Sequence, residues 1–180
     1  MALDFPDEPT IGAVHSSGQF AWKWDGTRWV HYVALGSPSF GVSLGHTVAQ
    51  PIPNNTATAV IFDTEYYDAA SYHSAGGSRI TIPTGHRGRY LVGFTSSFPP
   101  VAGGTVRNGW IRKNGGVSDR IALSLGYPSA SYAGQMQGTA TLDLNDGDYI
   151  EHMVQHDQGA AQSLQGNNTC LLYTSDAADD

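Results

Sequence analysis

Charge is scarce in this chain of 180 residues: Asp, Glu, Lys and Arg together make up 14 % of it, against roughly a quarter of an ordinary soluble domain. Exposed helix faces are built largely from such residues, so the shortage disfavours long surface helices. What charge there is leans acidic, with 16 Asp and Glu against 9 Lys and Arg for a net −7. The basic stripe of a duplex-binding protein is missing, and nucleic acid is not the expected partner. One cysteine is present, so neither an intrachain disulfide nor a cysteine-built metal site can form. The opening MALDFPDEPT is acidic and has no apolar core, and no apolar run approaches the ~18 residues of a membrane helix. The sequence therefore predicts neither a classical secretion signal nor membrane insertion.

Against these absences stand 22 glycines and a hydrophobic share of 40 %, enough to build a core. Strands joined by Gly-rich turns, with Ser, Thr, Asn and Gln on their wet faces, are the expected solution. Residues 1–34 read as a first module. Gly18–Trp24 and Thr27–Val33 alternate on either side of Asp25-Gly26, a pair that supplies the positive φ of a hairpin turn. Trp22, Trp24 and Trp29 then crowd one hairpin, too small to stand alone unless the indoles pack on something.

Residues 35–169 read as a second domain. Phe40–Leu44 alternates and is expected to be its first strand, followed by strands over 57–63, 88–97, 104–113, 119–126, 136–144 and 148–156, each bounded by turn residues. Such spacing with no amphipathic helical window predicts an all-β sandwich or barrel.

Particular motifs sharpen this. Phe62 and Asp68, then Ile82-Pro83 and Gly88-Arg89-Tyr90-Leu91-Val92-Gly93-Phe94, resemble the signature of the globular head of complement C1q and its tumour-necrosis-factor-like relatives. Ile82 stands where that family usually has Phe, and Tyr72 lies one place early. Trp110-Ile111-Arg112-Lys113-Asn114-Gly115 and Leu144-Asn145-Asp146-Gly147-Asp148-Tyr149-Ile150 resemble two further elements of it. The resemblance implies a jelly roll assembling as a homotrimer. In the first module, Asp4-Phe5-Pro6, Pro9-Thr10-Ile11-Gly12 and Trp22-Lys23-Trp24-Asp25-Gly26-Thr27-Arg28-Trp29 resemble a small module of bacteriophage tail and fibre proteins. The Gly-X-Y stalk of animal C1q-type proteins is absent. Residues 170–180, CLLYTSDAADD, change composition abruptly and resemble the peptide encoded by a read-through sequencing adapter. That resemblance implies a native continuation that differs after about Asn168, with the last core strand either absent or counterfeited by Cys170–Tyr173.

Several residues are chemically suggestive. Gly41-Val42-Ser43-Leu44-Gly45 has the spacing of a nucleophile elbow, but no helix signal follows to lift Ser43 above a sheet. His152 and His156 share a strand face, yet two imidazoles do not make a metal site. The loop Asp143–Asp148 offers hard oxygens without EF-hand spacing, and Asp63, Glu65 and Asp68 are no more than an acidic segment. Tyr66, Tyr67, Tyr72, Tyr127 and Tyr132, set among short polar residues, suit an adaptable or sugar-stacking surface.

The expectation is a non-catalytic structural protein of a phage virion, on a tail or head fibre, without cofactor, metal or catalytic residues. Its expected partners are its own copies, other virion proteins and a host-surface glycan or receptor. A carbohydrate-binding or adhesive module of a bacterial surface protein is the alternative. Alternate residues of strands 88–97 and 148–156 should divide between the sandwich core and the threefold axis, with Tyr90 and Phe94 on one face and Tyr149 and His152 as candidates for the axis.

Overall fold

The structure, a computed structural model, describes residues 5–17, 20–31, 41–166 and 168–174, with 17, 20 and 168–174 described in backbone only. The expected strand portions at Gly18, Gln19, Tyr32, Val33 and Phe40, the expected boundary at 34/35 and residues 175–180 lie outside these. The chain divides into two compact units, 1–39 and 40–180.

The first unit is a three-stranded antiparallel sheet in the order β1 (Val14–Ser17), β2 (Phe20–Trp24), β3 (Trp29–His31). The hairpin loop is longer than a two-residue Asp-Gly turn. Asp25 Oδ1 accepts from the backbone N–H groups of both Thr27 and Arg28 at 2.8 and 2.9 Å, so residues 25–28 form the loop and Trp24 lies opposite Trp29. Their rings are 5.7 Å apart. Phe5 stacks on Trp29 at 5.2 Å and meets Trp22 edge-on at 5.4 Å, so the indoles pack on one another and on the chain's own start.

The second unit contains β4 (Gly41–His46), β5 (Gln50–Ile52), β6 (Thr58–Ala59), β7 (Thr64–Asp68), β8 (Arg79–Thr81), β9 (Gly88–Phe98), β10 (Arg107–Lys113), β11 (Ile121–Gly126), β12 (Gly134–Leu144), β13 (Tyr149–His156), β14 (Gln162–Leu164) and β15 (Asn168–Thr174). One sheet runs β12-β9-β15-β4-β7. The other runs β11-β10-β13-β6 with β8 also on β13, and β14 pairs with β5. Every named pairing is antiparallel. No helix occurs among the described residues, and so none long and apolar enough to cross a membrane.

Alternation builds the core. Tyr90, Val92, Phe94 and Phe98 of β9 point inward with Val42 and Leu44, and meet Ile111, Ile150 and Val154 of the opposite sheet. Burying each such side chain contributes roughly 1.5–3 kcal/mol. Phe94 sits where two backbones come close: a Cβ at Gly109 or at Gly138 would lie 2.8 Å from its ring. Glycine at both places is what admits the ring.

Two expected features are displaced. Only Thr58–Ala59 of the expected strand 57–63 is extended, and the strand comes later, at β7, where Glu65-Tyr66-Tyr67-Asp68 reads in sequence as a polar loop. The segment 168–174 runs between β9 and β4, at the middle of its sheet.

Candidate functional site

The structure distributes the chemically suggestive residues rather than gathering them. Ser43 lies mid-strand with β15 and β7 on either side, without the turn and helix that expose an elbow serine. Asp63 accepts from Thr47 N, Val48 N and Thr47 Oγ1 at 2.8–3.1 Å. Partial burial opposes its ionisation, but these donors outweigh it and hold the carboxyl down to about 2. Glu65 is occupied by His73 at 2.7 Å, and Asp68 caps the backbone N–H groups of Tyr72 and His73. Asp63 therefore holds the segment at Thr47 and Val48, while Glu65 and Asp68 both hold the one at Tyr72 and His73.

The Asp143–Asp148 loop is equally committed. Asp143 pairs with Arg89, and Asp146 accepts from Gly85 N, His86 N and Arg87 N. Asp148 binds Lys113 at 2.8 Å, and that cation, with the Asn145 N–H, lowers its carboxyl to about 2. No cluster of three or more His, Cys, Asp or Glu side chains suited to a metal occurs among the described residues.

His156 is buried and satisfied, its Nε2–H donating to Ile52 O at 2.9 Å. His152 is buried as well, its ring 4.4 Å from Phe94, which corrects its expected place at an assembly axis. Tyr149 and His152 differ by an odd number of positions, so strand alternation sends them to opposite faces. Tyr149 goes outward beneath the Arg79 guanidinium. Tyr72 is also corrected: it is fully buried, its hydroxyl 3.1 Å from His86 Nδ1, and no sugar can stack on it.

Two of the open surfaces bear on assembly and recognition. On the solvent side of the first sheet, Gln137, Thr139 and Thr141 of β12 stand beside Thr95, Gly93 and Leu91 of β9. Past the β15 backbone, Ser43 and Gly45 of β4 continue the face, with the Tyr66 ring laid over Gly45. The charged pair on it is Arg89–Asp143, at one margin. Leu91 is 48 % exposed there. The second surface is a cleft of about 580 Å³ where β11 passes to β12, lined by Leu125, Gly126, Tyr127, Tyr132, Ala133, Gly134 and Gln135. Tyr127 and Tyr132 are 76 % and 77 % exposed, and Ser129 Oγ fixes the turn between them by accepting from Ser131 N and Tyr132 N. Of the five tyrosines, these two are brought together.

No protein-family profile matches the chain, and no curated protein does. Solved structures do. The globular domain of zebrafish complement 1qA is 15 % identical, with a TM-score of 0.57 over 75 % of this chain and 96 % of that one. The vertex protein P5 of PRD1 is 18 % identical, with a TM-score of 0.56 over 77 % and 99 %. Murine APRIL is 12 % identical, with a TM-score of 0.54 over 74 % and 98 %. The second unit is a jelly roll of the C1q and tumour-necrosis-factor type.

Inside this jelly roll lies a feature the sequence reading missed. His46 follows Val42 and Leu44 on the inward face of β4, donates Nδ1–H to Ile61 O at 2.7 Å, and leaves Nε2 buried without a partner. Both nitrogens of His152, Ser96 Oγ and both amide atoms of Gln162 are likewise buried and unbonded. Burial, reinforced by His46, pushes the His152 imidazole down to about 3. The one sequence signal for His46 is its place in the alternation Val42, Leu44, His46.

Proposed function

We propose that the protein is a non-catalytic structural protein of a bacteriophage virion, its jelly roll assembling as a homotrimer that presents loops toward the host surface. The observation that carries the reading is the charge-poor outer face of the β12-β9-β15-β4-β7 sheet. Small, uncharged side chains spread over several strands, with an exposed leucine among them, have the character of an interface core, from which charge is depleted. The jelly roll's likeness to a phage vertex protein supports the virion setting, as does the resemblance of the Trp-rich first unit to tail and fibre modules. Other virion proteins are then its partners through that first unit. Mass spectrometry of purified virions from the phage that encodes the chain tests this. The protein should be present in a copy number divisible by three, and absence from virions overturns the reading.

The Tyr127/Tyr132 cleft favours a second reading, a carbohydrate-binding or adhesive module of a bacterial surface protein. Exposed rings flanking a cleft suit stacking on sugar faces. Recovery in the bacterial envelope fraction, with none in virions, would select it.

A further inference from the structure

Only part of the second sheet's outer side is open to solvent: Trp110 and Met153 are buried there, while Arg79 and Arg120 are exposed. Trp110 and Arg112 of β10 point away from the core, as do Glu151 and Met153 of β13, because their neighbours Ile111, Ile150 and Val154 point into it. Register aligns Arg112, Glu151 and Arg79 in one row across β10, β13 and β8. Glu151 Oε2 accepts from Arg112 Nε at 3.0 Å and Nη2 at 2.7 Å. Its Oε1 lies 3.6 Å from Arg79 Nε and 3.4 Å from Ser78 Oγ. The Glu151 side chain is 5 % exposed, whereas that of Arg79 is 60 % exposed.

Aromatic rings lie beneath two of the guanidinium groups. Arg79 lies 4.2 Å over the Tyr149 ring and Arg120, just before β11, lies 4.9 Å over Trp110. Arg120 forms no ion pair among the described residues. Nearby, Lys113 and Asp148 neutralise one another, and exposed Asp119 precedes Arg120 in the loop. The row sets two guanidinium groups against one carboxylate, and Arg120 over Trp110 adds a third.

A buried carboxylate needs compensation, and one bidentate arginine already supplies it. In a chain with 9 basic and 16 acidic residues, giving Glu151 a second arginine and placing a third over tryptophan leaves positive charge where the molecule has least to spare. A guanidinium stacked on a ring keeps its in-plane N–H donors free, and those donors match the oxygens of carboxylate or phosphate. Neighbouring strands are about 4.8 Å apart, so Arg79 and Arg112 flank Glu151 across roughly 10 Å. That span suits a short run of anionic groups rather than a duplex, which the overall negative charge would repel.

We infer that the outer face of β10, β13 and β8 is a binding site for a short oligomeric oxyanion, phosphate- or uronate-bearing, engaged by Arg79, Arg112 and Arg120. The site is independent of the virion reading and of trimer formation. Titrating the intact protein with tripolyphosphate and, separately, with trigalacturonate distinguishes the two sources of the oxyanion. Binding is read by calorimetry and by the indole N–H resonance of Trp110.

At least one ligand should saturate with a Kd below about 1 mM at low salt, weaken about tenfold or more by 0.2 M NaCl, and shift the Trp110 indole signal while those of Trp22, Trp24 and Trp29 stay fixed. Arg79→Gln with Arg120→Gln should weaken binding at least about tenfold. Arg120→Gln alone leaves both Glu151 ion pairs intact and should weaken it severalfold. Arg87→Gln, an exposed arginine on another loop, should change nothing. Failure of both ligands to bind, unchanged binding by the folded Arg120→Gln protein, or an equal loss with Arg87→Gln overturns the inference.

Discussion

Acid should loosen this jelly roll well above the pH at which its carboxylates protonate, and His152 is the reason. Its imidazole is fully enclosed, stacked on Phe94, with neither ring nitrogen bonded. The groups around it are Ile111 across the strand pair and His46 from the facing sheet, so no carboxylate is at hand to stabilise a proton. Burial is the main cause that lowers its pKa from 6.5 to about 3, with His46 adding to it. A base whose folded pKa is depressed takes up protons more readily when unfolded. Its contribution is therefore complete above pH 6.5 and is lost progressively as pH falls toward 3. At about 1.4 kcal/mol per pH unit, roughly 3 kcal/mol should be gone by pH 4 and about 5 kcal/mol at the limit, a large share of the stability of most domains. Urea unfolding at intervals from pH 7.5 to 4.5 reads this directly, because Asp63, Asp148 and Asp157, each held to about 2, begin to contribute only below their ordinary 3.8. His152→Phe keeps a ring against Phe94, removes two unbonded polar atoms, and should flatten that part of the profile while gaining about 1–3 kcal/mol at pH 7. A wild-type profile already flat between pH 6.5 and 4.5, or an equally steep one in His152→Phe, refutes the reasoning.

Gly138→Ala should cost about 1–3 kcal/mol in urea unfolding, because its Cβ would lie 2.3 Å from Ala122 O and 2.8 Å from the Phe94 ring; a neutral substitution would mean that β11 and β12 are not so closely apposed. Leu91→Asp, on the charge-poor face, should prevent the proposed trimer from forming, giving a monomer in light scattering with an unchanged far-UV spectrum, and a trimer in this variant would move the interface elsewhere. Tyr127→Ala with Tyr132→Ala should abolish retention on any glycan array that the wild type recognises without shifting Tm, since both rings are exposed. Below pH 3.8, Asp157→Asn should remove part of the acid limb: Thr105 Oγ1–H and the Val106 N–H lower this carboxyl, and the stability they lend is lost as pH falls toward 2. An unchanged acid limb would show that this cap contributes nothing.

Much of the fold was legible because its long strands alternate. Tyr90, Val92 and Phe94 against Arg89, Leu91 and Gly93 announce one dry and one wet face, and β9, β10, β12 and β13 lie within a few residues of their expected bounds. The short strands β5, β8 and β14 have too few residues to show a period, and β7 was hidden because Tyr66 and Tyr67 lie beside acidic neighbours at a register shift. The candidate surfaces were legible only where they are local. Tyr127 and Tyr132 meet because a short turn joins them. The contact of His152 with Phe94 crosses from sheet to sheet, and the row Arg79, Glu151, Arg112 is assembled by strand order, which no local pattern encodes.

On this reading the charge-poor sheet face is closed by copies of the same chain around a threefold axis. Multi-angle light scattering across a hundredfold dilution, at neutral pH, tests it most directly. One species at three times the 19.2 kDa protomer mass, unchanged by dilution, is expected. A folded monomer at every concentration would contradict it.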